Sequence, residues 1–343
     1  MGKFPFFFGL LIVVNFIVPL APAGPAEAAG TIKIAAVGDI MMGTENLLPA
    51  DGGQNLFTEV KRFLQPNDIV FGNCEAPLTD RGEPAKVWPA GYCFRTPPRY
   101  GRHLAEAGFN MISIANNHIH DYGPDGLAQT LEVLEKNNLD WSGPVGTHAR
   151  GIVRGVGIAM IAFHTSSHGN WMLDIPEAQR LVSDLAGRNQ VVIVSFHGGA
   201  EGAGALHLKK GMEYFMGEER GQPQTFARSV IDAGADLVIG HGPHVPRAME
   251  IYKGRLIAYS LGNFCTQKGI KVKGAAGLAP LLLAEVNPDG RLVGGRVVSF
   301  YQTFGQPPRL DPEKRAAKLI NALGNEDLPA SNAVDSQGRL IVR

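Results

Sequence analysis

Six side chains able to hold a divalent cation are scattered through the sequence, each just behind an apolar run. His241 and His244 close GHGPH, where Gly242 and Pro243 make a tight loop that can aim two imidazoles at one point. Neutral imidazole is the commonest metal ligand. Asp39 sits in GDIMMG behind the strand-like residues 31–37, and Glu75 in GNCEAP behind residues 68–71. His197 follows QVVIVSF and precedes two glycines, where backbone can approach a ligand closely. Asn117 lies in ANNHIHDYG behind residues 109–114, and its amide oxygen is also a ligand type. Each has a bland alternative: a helix cap for Asp39, turn chemistry for the asparagines, a satisfied polar loop for the histidine pair. Clustering favours metal. Carboxylates and imidazoles together suit Mn, Fe or Zn better than Ca or Mg. Six donors exceed one tetrahedral site and fit one or two ions, the pair about 3.5–4 Å apart as in phosphoester hydrolysis.

Other residues fill supporting roles around that centre. His118 is placed for proton transfer to a leaving group, and Asp121 either orients it or caps the helix at 124–137. Glu201, four residues past His197, reads as a carboxylate that fixes the His197 tautomer, or as a turn cap. Asn116, Lys86 and Arg95 are the candidates to meet substrate, the two cations from a long loop that also carries Trp88 and Tyr92. His120 reads as structural.

The elements that must position these groups alternate strand-like and helix-like stretches, the pattern of an α/β frame with its site at the carboxyl ends of strands. Helices are expected at 55–64, 97–107, 124–137, 176–186, 222–233 and 312–323, and hairpins at 152–163, 247–259 and 280–300. The glycine-rich, charged stretch 202–221 reads as a mobile excursion. No internal repeat is evident.

Composition narrows the class. With 343 residues and 45% hydrophobic content the chain can bury a sizeable core. Lys and Arg number 32 against 32 Asp and Glu, so nothing points to nucleic acid. Lys3, an apolar run at 6–20 and the small residues of APAGPAEAAG read as a signal peptide over 1–29, implying an exported protein of the periplasm or cell envelope. The run is short for a membrane span, and an uncleaved anchor is the alternative. Cys74, Cys93 and Cys265 are odd in number; Cys74 and Cys93 either pair across a short loop, or all three are buried thiols.

Taken together, VGDIMMG, GNCEAP, FRTPP, ANNHIHDYG, SFHGGAE, GADLVIGHGPHV and YSLGNF resemble the CapA-type poly-γ-glutamate capsule-biosynthesis family, whose domain is similar to the calcineurin-like metallophosphoesterases. The resemblance implies a four-layer α/β/β/α sandwich over residues 30–303, with 304–343 as a C-terminal extension. It implies Asp39 as the first metal aspartate, Glu75 in place of the bridging carboxylate, and Asn117 with His118 as the Asn-His pair. His197 would be the isolated metal histidine, and His241 with His244 the final pair. Two positions depart from the phosphoesterase pattern: Met41 stands where a histidine is usual, and Glu75 is longer than the usual aspartate. The family also implies an anionic polymer or phosphoester as ligand and a membrane-bound polymer synthase complex as partner. Three functions follow: a capsule protein with a metal-dependent hydrolase site, a periplasmic phosphoesterase on small substrates, or a non-catalytic polymer-binding assembly factor.

Overall fold

Apolar runs that are buried on both faces need cover on both sides, and this chain supplies it with two stacked sheets and two helical layers. The structure, a computed structural model, describes residues 30–85 and 92–342; the segment 1–29 and Lys86 lie outside them. Strands β1 (Ile32–Met41), β2 (Ile69–Cys74), β3 (Met111–Ser113) and β4 (Asp140–Ser142) run parallel in that order. The chain then builds a second sheet from the antiparallel β5 (Ala149–Val153) and β6 (Val156–His164), with β7 (Val191–His197) parallel to β6. A short ribbon, β8 (Tyr214–Phe215) with β9 (Glu218–Glu219), precedes β10 (Leu237–His241), which lies beside β7. Antiparallel β11 (Met249–Tyr252) and β12 (Arg255–Ala258) complete that sheet. Finally β13 (Asn263–Thr266), β14 (Leu278–Val286), β15 (Leu292–Tyr301) and β16 (Arg309–Leu310) return to the first sheet, β13 and β14 both against β1.

Side-chain alternation along each strand sorts the core into layers. Ile32, Ile34 and Ala36 of β1 meet Ile158, Met160 and Ala162 of β6 and Ile193 of β7 between the sheets. Ala35 and Val37 face the other way, onto Leu64, Leu104 and Leu134 from α1 (Lys61–Leu64), α2 (Gly101–Ala107) and α3 (Gly123–Lys136). Ile161 and Phe163 pack with Val182 and Phe226 of α4 (Ile175–Ala186) and α5 (Pro223–Asp232). This is the expected four-layer α/β/β/α sandwich. Helix α6 (Arg315–Asp327) puts Ala317 and Ile320 into the layer between the sheets, so the last residues contribute to the shared core.

Two local expectations change. Of the helix read at 55–64 only the last turn is α-helical, the rest being turns. The stretch 202–221 is anchored rather than loose. Glu213 is buried and takes both arms of the buried Arg247 guanidinium at 3.0 and 2.8 Å, while Arg247 Nε donates to Ala205 O. Among the described residues no helix is long and apolar enough to cross a membrane.

Candidate metal centre

The carboxyl ends of β1, β2, β7 and β10 open on one point because their parallel registers align them. Asp39 is level with Asn73, and His197 with His241. Asp39 lies within β1 at an irregularity of the register rather than past its end. Gly38 makes that possible: a Cβ there would sit 2.0 Å from Gly262 O, the carbonyl that accepts the Asp39 N–H at 2.9 Å. Gly240 plays the same part before His241, its Cβ position lying 2.2 Å from Tyr259 O. His244 adopts a left-handed backbone at φ 57°, an uncommon conformation for a side-chain-bearing residue, held by the Gly242–Pro243 turn.

Asp39, Glu75 and His197 are fully buried and offer donor atoms that all lie within 4.8 Å of one another. His241 Nδ1 is 3.2 Å from Asp39 Oδ1, and His244 Nδ1 is 3.1 Å from Asp39 Oδ2. Asn73 is the organiser. Its Nδ2 donates to Asp39 Oδ1 at 2.9 Å and to Glu75 Oε2 at 2.6 Å, and its Oδ1 accepts from Asn116. Asn263 Oδ1 lies 3.1 Å from His244 Nδ1, which leaves Nε2 of that ring turned toward Glu75 Oε1 at 4.0 Å and Glu201 Oε2 at 3.8 Å.

Burial raises the Asp39 carboxyl, but the His241 and His244 imidazoles outweigh that and hold it well below its ordinary range. Glu75 goes the other way: burial, and then the Asp39 charge, push it well above. Burial holds His197 well below its usual value. It would also lower His244, but Asp39, Glu75 and Glu201 raise that ring to about 9. Without a cation, then, both His244 and Glu75 are biased toward their protonated forms.

Donor chemistry supports a cation here. Asp39 Oδ2, Glu75 Oε1, His197 Nε2 and both His241 nitrogens are buried without a well-aligned hydrogen bond, close contacts such as the 3.1 Å one to His244 notwithstanding. Unsatisfied buried polar atoms are costly and rare, and an ion is a standard reason for several to converge. Mixed carboxylate and imidazole donors fit Mn, Fe or Zn.

The remaining expected residues distribute around this cluster. His118 is buried beside it with Nδ1 2.7 Å from Asp121 Oδ2, and its ring centroid lies 4.6 Å from that of Phe94. Asn117 is partly buried in the same loop. Glu201 is associated with His244 and with Arg220, whose Nη2 is 2.9 Å from its Oε1, rather than with His197. Asn116 is tied into the scaffold of the cluster. It is buried, its amide N–H groups go to Asn73 Oδ1 and Cys74 O, and its Oδ1 accepts the His118 N–H. Arg95 is engaged by Glu45 at 3.1 Å and lies over the Tyr122 ring at 4.5 Å. Cys74, Cys93 and Cys265 form no disulfide. The sequence reading passed over Asn73, Asn263 and Arg220. Asn73 had a signal, since it stands two before Glu75 and strand alternation puts both on one face.

Among known families, the one described as "Bacterial capsule synthesis protein PGA_cap" matches residues 33–268. The chain belongs to that family. This PGA_cap chain is similar to "PGA biosynthesis protein CapA" of Bacillus subtilis (strain 168), 30% identical over an alignment of 252 residues, with 68% of this chain and 63% of the relative covered. It is 27% identical over 263 residues to "Capsule biosynthesis protein CapA" of Bacillus anthracis, covering 69% and 60%. A "Probable polyglutamine synthesis accessory protein" of Mycobacterium tuberculosis (strain CDC 1551 / Oshkosh) is 28% identical over 223 residues, 57% of this chain and 55% of the relative. The matches thus span about three fifths of these relatives' length. Among solved structures, the 5'-nucleotidase precursor from Thermus thermophilus aligns with 87% of this chain and 59% of its own at 12% identity and a TM-score of 0.45.

Proposed function

We propose that this PGA_cap chain is an exported accessory protein of anionic capsule-polymer synthesis, working beside a membrane-bound polymer synthase, and that it carries a metal-dependent hydrolase centre. What supports the centre above all is the convergence of buried, hydrogen-bond-poor donors of Asp39, Glu75, His197 and His241 on one point. Asp39, Glu75, His197, His241 and His244 would hold the cation, with Asn117 at the margin. A bound divalent ion there supplies Lewis acidity and charge neutralisation toward a phosphoryl or carbonyl oxygen. The chain's own residues do the rest. Asn73 fixes both carboxylates, Asp121 holds the His118 ring through Nδ1, and His118 Nε2 is left to carry a proton to a leaving group. Phe94 against the His118 ring keeps water from that side.

The test is metal content and turnover of the purified full chain, wild type beside His241→Ala and His118→Asn. Near-stoichiometric Mn, Fe or Zn, lost in the first variant and kept in the second, with turnover of phosphoesters or γ-glutamyl polymer falling about 10²–10⁴-fold in the second, is the expected result. A folded wild type that takes up no metal overturns the centre. Cell fractionation tests export, and an exclusively cytoplasmic chain overturns it. One observation favours a second reading, a non-catalytic polymer-binding factor. Met41, where the resemblance calls for a histidine, is fully buried with Ala76, Phe94 and Ile270, so that position offers no ligand. Metal uptake with no turnover of either substrate class would select this reading.

A further inference from the structure

On the far side of Phe94 from His118 lies a hollow whose lining differs in kind from the ligand cluster. It is a groove of about 860 Å³, lined by Leu47, Phe94, Ile270 and Phe304 together with Lys271 and Lys273. That volume is within the range of sites for small organic ligands. Leu47 is 41% and Phe304 63% exposed, so a sizeable apolar surface meets water here with no cover from the described chain. Both lysines are exposed as well. Among the described lining residues the one acid, Glu45, is already engaged by Arg95 at 3.1 Å and by the Tyr122 hydroxyl at 2.9 Å, so it does not cancel the lysine charge.

The groove and the centre share a wall. Phe94 lines the groove, its ring lies 4.6 Å from the His118 ring, and its N–H donates to the Asp121 carboxylate that holds His118. Ile270 and Phe94 pack on Met41, two residues beyond Asp39.

We propose that the groove takes the apolar organic group of an alkyl or aryl phosphate ester, whose anionic end is met by Lys271 and Lys273 at the groove's rim. This rests on the hydrolase reading and narrows its substrate class. A small hydrophilic ester gains nothing from Leu47, Ile270 and Phe304, and a cationic amphiphile is repelled by the lysines.

Calorimetric titration of the metal-free full chain with n-decyl phosphate, below its micelle concentration, tests the groove without calling on turnover. Decyl phosphate should bind at least about tenfold more tightly than inorganic phosphate or decyltrimethylammonium, the margin that one well-buried apolar contact supplies. Phe304→Ser and the double variant Lys271→Glu/Lys273→Glu should each weaken it by a similar factor; all three positions are exposed, and unchanged circular dichroism certifies their folds. Equal binding by wild type and variants, or by inorganic phosphate and decyl phosphate, overturns the proposal. Turnover in the metal-loaded protein then separates the two ideas. Variant-sensitive binding with no hydrolysis of any ester keeps the groove and rejects the hydrolase, whereas hydrolysis of small esters without decyl phosphate binding does the reverse.

Discussion

Replacing Glu75 by glutamine separates the cost of the ligand cluster from its purpose. The Asp39 and Glu75 donor oxygens lie within 4.8 Å of each other. Two full charges at that spacing repel by about 3.5 kcal/mol at an effective dielectric of about 20. Burial, and then the Asp39 charge, raise the Glu75 carboxyl well above the ordinary 4.5, which favours its neutral form in the metal-free protein. A group raised on folding contributes stability that is intact below its unfolded value and is lost as pH climbs through the folded one. Glutamine mimics the protonated acid and skips that loss. Metal-free Glu75→Gln should therefore already exceed wild type at pH 6, which lies above the unfolded value, and exceed it by more at alkaline pH, the variant still accepting from Asn73. With cation at a thousandfold excess over Kd, wild type gains about 4 kcal/mol by linkage and the variant far less. Urea denaturation with chelator and with Mn at pH 6 and pH 9 gives all four numbers. If the variant gains from Mn as wild type does, or loses more than about 3 kcal/mol without it, the assignment of Glu75 as a strained ligand is wrong.

Three further expectations are independent of catalysis. Gly38→Ala forces a Cβ to 2.0 Å from Gly262 O, so it should cost about 3 kcal/mol or more and, by displacing Asp39, weaken metal binding measured by titration; unaltered affinity would contradict the close approach. Glu213→Gln leaves Arg247 buried beside a neutral partner, and should cost about 3–5 kcal/mol in urea denaturation, whereas Glu213→Gln with Arg247→Met should recover part of that loss; no loss in the single variant would mean the 202–221 segment is not anchored there. A thiol reagent at neutral pH should label partly buried Cys93 in the native protein and spare Cys74 and Cys265 until unfolding. Burial, then Glu75, pushes the Cys74 thiol up to about 12, and burial raises Cys265. A mapped Cys74–Cys93 disulfide would contradict this.

How far the sequence carried depended on whether a residue's environment was local. Runs such as IKIAAV and VVIVSF are apolar on both faces, and only strands in a covered sheet bury both, so the layers were legible. The candidate donor positions could be picked out too, because they follow such runs by one to four residues. Partner choice could not. Glu201 is four residues from His197 in sequence, yet the turn at Gly198–Gly199 carries it toward His244, where Arg220 from the far end of the 202–221 segment takes hold of it. Composition alone made that segment look loose, since glycine and charge suggest solvent. Its anchors, Glu213 and Arg220, acquire meaning only through Arg247 and Glu201, which lie well apart from them in the chain. Asn116 shows how a polar knot can serve the fold: its amide bonds to Asn73 and Cys74 and its oxygen accepts from His118.

The pairing of β1 with β14 has a consequence for how the chain matures. Ile32 lines up with Val286 and Val37 with Leu281, so β1 finds this neighbour only after every strand of the second sheet has been made. Closing so long a loop is slow, and until it closes an apolar edge stays open to any other strand. The rate-limiting event of refolding should be this late docking, with the central parallel strands assembling earlier. A chain cut at residue 268, where the family match ends, would lose β14 altogether. It would be an aggregation-prone fragment rather than a smaller version of the protein.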